Sequence, residues 1–388
     1  MFGDDFMKVA IIGGGASGVL AALRLKFNNS NIDVTIFEKN SKPLKKLGVT
    51  GNGRCNLGNE DISSKYFLHE SIVSEMIDLG YKDESINFFN QLGLFMVNDF
   101  AGRIYPKSNQ AVTVVELLMK ELYYKHVNLI CDIEINEIKV LKDNKFLINN
   151  DIFDKVIICT GSNAGFSNDE ITLYKNLPFK FVKDSPALVG FKVIEDIKVL
   201  FGVKQTGTVS LNGHKAKGEV VFKEDGVSGI CVMDLSVYYD KLDKTISFDF
   251  LDDYTDLELK MIVNRKIKND PYVHLHNLMF GSVNNKLLGF FNKGYPNIKV
   301  TTAPKEMLDS YLLQFKDFKL TIKDTYDLKT AHVSKGGIDL TELNLFEAKK
   351  IPNLFICGDA TNQAGICGGY NLWFAFTSGI MVADKICK

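Results

Sequence analysis

Cysteine and proline are scarce in this sequence, whose 388 residues include seven cysteines and eight prolines. No two cysteines stand in a CxxC pair. Their spacing therefore argues against a disulfide framework, a zinc ribbon and the dithiol chemistry of disulfide reductases. The prolines are scattered and mark no long linker. This cysteine usage fits a reducing compartment, so we expect a cytoplasmic protein.

Excess charge and long apolar runs are also missing. The 46 lysines and arginines balance 47 aspartates and glutamates, and the net charge of −1 argues against a dedicated nucleic-acid-coating protein. The apolar stretch from Val9 to Leu23 is too short to span a membrane and is interrupted by glycines. Asp4 and Asp5 stand where a secretory signal would carry positive charge. The length predicts two or three globular domains, and we expect no membrane contact.

The N-terminal forty residues carry a β-turn-α-β pattern. Lys8–Ile12 is a short apolar run typical of a buried parallel strand, and a glycine-rich turn follows it directly. A helical pattern runs from Ala16 to Phe27, and an alternating strand from Ile32 ends in the acid Glu38. This order of elements is that of a dinucleotide-binding unit.

Three glycines of the turn have a physical reason. Gly13 permits the tight turn out of the strand, Gly15 lets a pyrophosphate approach the backbone, and Gly18 lets the helix pack close to the sheet. The helix N-terminus supplies free N–H groups and partial positive charge to that pyrophosphate. Glu38 lies 20 residues after Gly18, where a carboxylate can accept both ribose hydroxyls and would repel a 2′-phosphate.

Two later apolar strands return the chain to the same sheet. Asp154–Gly161 ends in a small-residue turn, and Leu354–Asp359 ends in Gly-Asp. A helix is predicted from Tyr370 to Ile386, after Gly368-Gly369. Asp359 can hold the ribityl hydroxyls of a flavin, or it can be an ordinary helix cap. Together these elements predict an α/β, Rossmann-like domain that binds a flavin dinucleotide.

Five stretches resemble the HI0933-like bacterial flavoproteins, also called BaiN-like or aminoacetone-oxidase-like, within the two-dinucleotide-binding-domain flavoproteins. The resemblance covers essentially the whole chain. Asn52, Asp359 and Cys367 depart from the family pattern, which usually has glycine, glutamate and threonine there. The stretches that carry it are Lys45–Asn56, Gly102–Pro106, Gly218–Gly229, Thr330–Ile338 and Gly365–Asn371.

The resemblance implies FAD as the cofactor. Together with the N-terminal pattern, it predicts cofactor contacts at Gly13, Gly15, Ala16, Ser17, Gly18, Glu38, Lys39, Lys46, Gly53, Arg54, Cys55, Asn56, Ile135, Thr160, Gly161, Gly358, Asp359, Gly368, Gly369, Tyr370, Asn371 and Leu372.

The middle of the chain has a different pattern. Short alternating strands punctuated by glycines predict a small antiparallel sheet or barrel. A helical pattern follows, with helices expected near 255–265, 286–291 and 306–313. We therefore predict a discontinuous FAD-binding domain at 1–186 and 331–388, a β-barrel-like insert at 187–252 and a helical subdomain at 253–330. The predicted strands are Leu188–Val193, Thr206–Leu211, Glu219–Phe222, Ile230–Asp234 and Thr245–Phe250.

The candidate catalytic residues each have a structural alternative. Arg103 and Arg54 can hold a phosphate, a substrate carboxylate or the flavin edge, or can form an ion pair inside the fold. Cys55 is either an acid near the flavin or a packed thiol. Tyr105 can donate a proton to a substrate carbon or serve in packing. His332, next to a stretch that the family places near the flavin, is a weaker candidate acid.

Other sites have little support. His274-x-His276 resembles half a metal site, but no further ligands have suitable spacing, so we expect no metal. There is no second GxGxxG, so NADH or NADPH would bind transiently as reductant. Residues 255–325 carry eleven basic and seven acidic residues, which makes either a solvated face or an RNA-facing surface.

These patterns predict an FAD-dependent oxidoreductase. Resemblance favours reduction of a carbon–carbon double bond, in a small-molecule enone or in uridine of ribosomal RNA, with NAD(P)H as donor. The expected partner is thus a small molecule or ribosomal RNA. The alternatives are a flavin-dependent oxidase of a small amine and a non-catalytic flavin-binding protein.

Overall fold

The computed structural model describes residues 6–164, 173, 177–242 and 244–388. It divides into two compact units, Met1–Ser185 with Val333–Lys388, and Pro186–His332. In the second unit, strands and helices share one hydrophobic core. The three-domain division and its boundaries stay a prediction.

The first part of the chain forms strands and helices in alternation. Its strands are β1 (Lys8–Ile12), β2 (Asp33–Phe37), β3 (Gly58–Asn59), β4 (Met96–Asn98), β5 (Arg103–Pro106), β6 (Asn128–Ile130), β7 (Lys139–Val140), β8 (Phe146–Ile148), β9 (Asp151–Phe153), β10 (Lys155–Ile158) and β11 (Phe181–Ala187). Its helices are α1 (Ala16–Asn28), α2 (Thr50–Gly53), α3 (Glu70–Asp78), α4 (Glu84–Gln91) and α5 (Ala111–Tyr124).

The middle part starts with strands and ends with helices before a last strand. Its strands are β12 (Phe191–Val193), β13 (Lys204–Leu211), β14 (His214–Phe222), β15 (Gly226–Ser228), β16 (Thr245–Asp249) and β17 (Phe318–Thr325). Its helices are α6 (Ile230–Ser236), α7 (Asp256–Asn269), α8 (Leu275–Leu278), α9 (Asn285–Asn292) and α10 (Lys305–Lys316).

The last part completes the first unit. It contains β18 (Val333–Ile338), β19 (Leu343–Asn344), β20 (Glu347–Ala348), β21 (Leu354–Ile356) and α11 (Tyr370–Ile386).

A seven-stranded sheet in the order β19-β20-β21-β10-β1-β2-β6 organises the first unit. The strands from β21 to β6 run parallel, and the register pairs Ile12 with Phe37 and with Ile158. The carboxyl ends of β1, β2, β10 and β21 therefore meet at one edge. All four strands are buried along most of their length, as their apolar sequences predict. The predicted Rossmann-like fold is confirmed; β6, β19 and β20 were not predicted.

Helices α1 and α11 pack against each other and begin where the sequence predicts. Ser17, at the start of α1, is buried, and its carbonyl oxygen faces Gly379 of α11 so closely that a Cβ at Gly379 would overlap it. The Arg24 guanidinium of α1 donates to both carboxylate oxygens of Asp384 in α11, at 2.6 and 3.0 Å. Shape and charge thus fix the pairing of two helices that are far apart in the sequence.

The second unit contains a closed barrel in the order β12-β15-β14-β13-β16-β17, which confirms the predicted antiparallel insert. Pairing of Phe191 with Thr325 joins the first and last strands. The inward side chains of Phe191, Phe222 and Phe248 are buried. The helices α7 to α10 follow, and Thr255 and Glu258 form a capping box at the start of α7.

The predicted strand Ile230–Asp234 is wrong, because these residues begin helix α6. Gly229 precedes the helix with φ of 108°, which ends β15 and redirects the chain. Within α6, Cys231, Val232 and Leu235 are buried, and their spacing is helical rather than alternating. Gly226 and Gly229 resemble the glycines that separate the short strands of this region, which is why a strand was predicted.

Substituting Gly379 by alanine tests the contact between α1 and α11. The added Cβ would overlap the Ser17 carbonyl, so we expect the free energy of unfolding to fall by about 1–3 kcal/mol. Gly289 in α9 is the control, because nothing lies within 4 Å of its Cβ position. Gly289→Ala should leave stability unchanged or raise it by up to ~1 kcal/mol. Urea denaturation measures both, and equal stability of the two variants would contradict the close helix contact.

Candidate functional site

The turn after β1 forms a cradle that only glycine can build. Gly13 has φ of 106°, and a Cβ there would overlap the carbonyl oxygen of Cys159. A Cβ at Gly18 would overlap the carbonyl oxygen of Gly13. Gly15 borders open space, with its nearest neighbour 4.0 Å from a Cβ position. Ala16 and Ser17 follow as the first residues of α1, so free N–H groups point into this space.

Glu38 lies at the end of β2 beside this cradle and is buried. One carboxylate oxygen accepts the backbone N–H of Gly14 at 2.8 Å, and the other accepts the backbone and side-chain N–H groups of Asn40 at 2.8 and 2.6 Å. These bonds fix the carboxylate and leave lone pairs for a ribose.

The Lys39 side chain is exposed, whereas Ile135 is buried in the core formed at the ends of β1, β2 and β10.

The segment after Lys46 makes a left-handed turn. Gly51, Asn52 and Gly53 have φ of 58°, 56° and 79°. Asparagine tolerates this conformation better than other residues that carry a Cβ, which explains why Asn52 can replace the family's glycine. Cys55 follows, also with positive φ, and is buried. Burial raises the pKa of the Cys55 thiol to about 12, so the thiol keeps its proton at neutral pH.

The start of α11 faces the same region. Gly368 and Gly369 precede the helix with φ of 132° and 101°, and the Asn56 side-chain oxygen lies 2.7 Å from the position of a Cβ at Gly369. That buried oxygen has no hydrogen-bond partner among the described residues. It is therefore available to a ligand that carries an N–H or O–H group.

The residues that begin α11 are tightly packed. Tyr370 is buried, with its ring centroid 4.8 Å from that of Tyr66. Asn371 accepts the N–H of Gly365 and donates to its carbonyl, both at 2.8 Å. Leu372 is partly buried against the main core. Asn371 therefore shapes the loop before the helix.

Acidic and basic groups meet at the ends of β10 and β21. Burial raises the pKa of Asp359, and the Lys46 ammonium opposes that shift. The same ammonium donates to the Ser162 carbonyl at 3.3 Å. Gly358 has φ of 64°, and Thr160 and Gly161 follow β10 directly. A buried hydroxyl on Ser162 has no partner among the described residues.

The candidate catalytic side chains differ in their partners. Arg103 forms an ion pair with Asp99, with Nε and Nη2 both 2.8 Å from Oδ2. The Arg54 guanidinium instead lies 4.7 Å from the ring centroid of Tyr105, with Nη2 3.5 Å from the phenol oxygen. His332 is exposed at the end of the second unit. The geometry favours the ion-pair role for Arg103, and the catalytic roles of Cys55, Tyr105 and His332 stay predictions.

Two structural features were missed in the sequence. Asn40 orients Glu38, as described above. The thiols of Cys159 and Cys357 lie 3.4 Å apart at the ends of β10 and β21. Their mutual hydrogen bond and burial raise the pKa of Cys357 well above its usual range. Each cysteine directly follows an apolar strand and shortly precedes a glycine, and this shared placement was the available signal.

Other site classes find no support in the described part of the chain. No three histidine, cysteine, aspartate or glutamate residues there gather in a way that could hold a metal ion. In the same residues, every helix is too short or too polar to cross a bilayer. The glycine cradle, the fixed Glu38 carboxylate and the unpartnered Asn56 oxygen together fit a dinucleotide.

Glu38→Gln should weaken FAD binding. A single amide oxygen cannot replace both carboxylate oxygens, and the amide N–H groups would face the donors of Gly14 or Asn40. Loss of charge-assisted bonds of roughly 1.5–3 kcal/mol should raise the Kd of FAD by about 10–100-fold. Fluorescence titration of the apoprotein measures Kd. The control Asp33→Asn changes an exposed acid on the same strand and should bind as the original chain does.

Cys55 should resist alkylation. With a pKa of about 12, only about one thiol in ten thousand is ionised at pH 8, and the thiolate is the reactive form. Iodoacetamide followed by peptide mass spectrometry should label the exposed Cys387 far faster. Because deprotonation rises with pH, Cys55 labelling should increase about tenfold per pH unit without levelling below pH ~11. Equal labelling of both thiols at pH 8 would contradict this burial.

Comparison with known proteins assigns the fold to a family. A family model described as "HI0933-like protein Rossmann domain" matches residues 7–385. The chain is 30% identical to the 3-dehydro-bile acid delta(4,6)-reductase of Clostridium scindens, over 96% of this chain and 97% of that one. It is 22% identical to the ribosomal RNA dihydrouridine synthase of Escherichia coli, over 97% of each.

Among solved structures, the chain is similar to 3-ketosteroid delta1-dehydrogenase from Sterolibacterium denitrificans, with a TM-score of 0.48, 12% identity, and coverage of 98% of this chain and 99% of that one. The family match over nearly the whole length and the two relatives agree with the glycine cradle and the Glu38 carboxylate. The chain belongs to the HI0933-like family, and it is an FAD-dependent oxidoreductase.

Proposed function

We propose that this chain reduces a carbon–carbon double bond conjugated to a carbonyl, with NAD(P)H as the electron donor. The observation that carries the proposal is the Arg54–Tyr105 pair, in which the guanidinium covers a buried phenol. The Tyr105 ring and the Cβ of Asn56 both lie 3.8 Å from the position of a Cβ at Gly51. The 30% identical relative is named for the reduction of such bonds in a 3-dehydro-bile acid. A small-molecule enone is therefore the first candidate substrate.

The residues at the strand ends would hold FAD by its separate parts. The N-terminus of α1 would bind the pyrophosphate, Glu38 the ribose, and Asp359 with Lys46 the ribityl chain. Asn56 would accept a hydrogen bond from the ring system. When bound, FAD supplies the hydride equivalent that it has received from NAD(P)H. No second nucleotide-binding motif follows in the sequence, so the nicotinamide would bind only transiently.

Tyr105 is the proposed proton donor. Its side chain is 5% exposed, so its hydroxyl meets little bulk water. Arg54 covers its ring and approaches its oxygen, which holds the hydroxyl in one place. Reduction adds a hydride equivalent to one alkene carbon and a proton to the other. The Tyr105 O–H bond breaks as the new C–H bond forms, and solvent then returns the proton to the phenol oxygen.

Uridine of ribosomal RNA is a second candidate, because its reducible bond is also conjugated to a carbonyl. The Escherichia coli relative is named for this reaction. In the second unit, the exposed Tyr272 has the Lys299 ammonium 4.8 Å from its ring centroid, a combination that suits stacking on bases.

We also propose a cytoplasmic location, because all seven cysteines are free thiols.

An anaerobic titration tests the electron donor. NADH or NADPH should bleach the flavin absorbance of the purified holoenzyme, and a steroid enone acid should then restore it. Ribosomal RNA is offered as the oxidant in a parallel experiment. A bound flavin that neither nucleotide bleaches, but that a small amine does, would contradict the reductase and favour an oxidase.

Tyr105→Phe tests the proton donor. We expect kcat for enone reduction to fall by about a hundredfold or more, since a positioned acid is lost, while flavin content stays unchanged. Reduction of the flavin by NAD(P)H should also continue at its original rate. The control Tyr123→Phe changes an exposed phenol on α5 and should keep full activity. Unchanged kcat in Tyr105→Phe would remove Tyr105 from the mechanism.

A further inference from the structure

Two buried thiols lie side by side at the ends of neighbouring strands. Ile158 of β10 pairs with Ile356 of β21 in parallel register, and the next residues along the two strands are Cys159 and Cys357. Their sulfur atoms are 3.4 Å apart, and the two residues are 3% and 0% exposed. Neighbouring strands lie about 4.8 Å apart, within the range of roughly 4.4–6.8 Å that the Cα atoms of a disulfide span. A disulfide between Cys159 and Cys357 is therefore compatible with the strand pairing.

The surroundings of this thiol pair restrict which oxidant can react with it. Both side chains belong to the core that α1 and α11 cover. Their mutual hydrogen bond and burial raise the pKa of Cys357 well above its usual range, so this thiol keeps its proton at neutral pH. Bulky or charged thiol reagents are excluded from such a place, and the reaction with any oxidant is slow. Hydrogen peroxide, which is small and uncharged, is the class of oxidant that fits.

The backbone of both cysteines contacts the glycine turns of the FAD site. The Cys159 carbonyl oxygen lies 2.3 Å from the position of a Cβ at Gly13. Cys357 directly precedes Gly358, and the position of a Cβ at Gly358 is 2.6 Å from the hydroxyl oxygen of Ser17 at the start of α1. Because these contacts leave no space, a displacement of either strand end is passed to the cradle.

The Cys357 sulfur also takes part in the hydrogen bonds that fix Gly358. The hydroxyls of Ser17 and Ser378 are hydrogen-bond partners of this sulfur. The Ser378 hydroxyl oxygen accepts the backbone N–H of Gly358 at 3.0 Å. Movement of the Cys357 sulfur toward Cys159 would therefore draw it away from the two hydroxyls that hold Gly358 and the first turn of α1.

We propose that Cys159 and Cys357 are a redox modification site, at which hydrogen peroxide forms a disulfide that lowers the affinity for FAD. Peroxide oxidises one sulfur to a sulfenic acid and releases water. The second sulfur then attacks the first, so that the S–S bond forms and a second water leaves. The two thiols thus lose two electrons and two protons, and the peroxide is reduced to two waters. The sulfur atoms must approach from 3.4 Å to about 2.05 Å, which displaces the strand ends at the cradle.

The experiment uses the holoenzyme in its reduced and oxidised thiol states. Hydrogen peroxide is added and then removed with catalase, and non-reducing peptide mass spectrometry maps the disulfides. Fluorescence titration gives the Kd of FAD before oxidation, after it, and after dithiothreitol. We expect a peptide pair that joins Cys159 to Cys357, a Kd at least about tenfold higher, and recovery of the original Kd with dithiothreitol.

Variants assign the effect to the two cysteines. Cys159→Ser and Cys357→Ser each remove the disulfide, and each is compared with its own untreated sample. Peroxide should leave the Kd of both variants where it was before treatment. Cys231→Ser is the matched control, because Cys231 is a buried cysteine of the second unit whose thiol donates to the Glu219 carbonyl at 3.5 Å. It should respond to peroxide as the original chain does.

Four results would overturn the inference. The first is the absence of this disulfide at a peroxide concentration that oxidises the exposed Cys387. The second is a disulfide that leaves the Kd of FAD unchanged. The third is an equal rise of Kd in Cys159→Ser, which would assign the effect to another residue. The fourth is loss of the folded circular dichroism signal, which would make the release of FAD a result of unfolding.

This inference and the proposed reductase function are tested independently. The disulfide and the Kd of FAD are measured without NAD(P)H and without an enone or RNA. A peroxide-dependent loss of FAD affinity in a chain that reduces no double bond would support the modification site and contradict the reductase. Enone reduction by a chain whose FAD affinity does not respond to peroxide would support the reductase and contradict the modification site.

Discussion

The site depends on how closely the backbone of the first turn approaches the neighbouring strand and its own helix. The carbonyl oxygens of Cys159 and Gly13 occupy the positions where Cβ atoms of Gly13 and Gly18 would lie. Because the chain is packed this tightly, the N-terminus of α1 is held at the edge where β1, β2 and β10 end. The Glu38 carboxylate, the Lys46–Asp359 pair and the glycines before α11 are all positioned relative to that edge.

Much of the first unit could be predicted because its elements are signalled locally. Short apolar runs predict buried parallel strands, and α1 and α11 follow glycine-rich turns and begin at the predicted residues. The edge strands β19 and β20 have two residues each, too few to produce a periodic signal. The helix α6 was wrongly predicted as a strand because it follows Gly229, one of the glycines that punctuate the short strands of this region.

The sequence predicted the residues of the candidate site better than it predicted the contacts that these residues make. Glu38 was found by its distance from Gly18, but its fixation by Asn40 depends on a turn that has no distinct sequence pattern. Arg54 and Arg103 looked equivalent in the sequence. Their difference arises from the turn before β5, which supplies Asp99 to Arg103 and nothing comparable to Arg54. The contact of Cys159 with Cys357 spans 198 residues and required the completed sheet.

The discontinuous first unit has a consequence for synthesis of the chain on the ribosome. Strand β10 pairs with β1 on one side, but its other edge is covered only by β21, and α1 packs against α11. Until residues 354–386 emerge, the nascent chain exposes an apolar strand edge and the buried face of α1, while the barrel of the second unit is already complete in sequence. Such edges are sites of aggregation and of chaperone binding. The nucleotide site is therefore complete only after β21 and α11 have been synthesised and have closed the sheet.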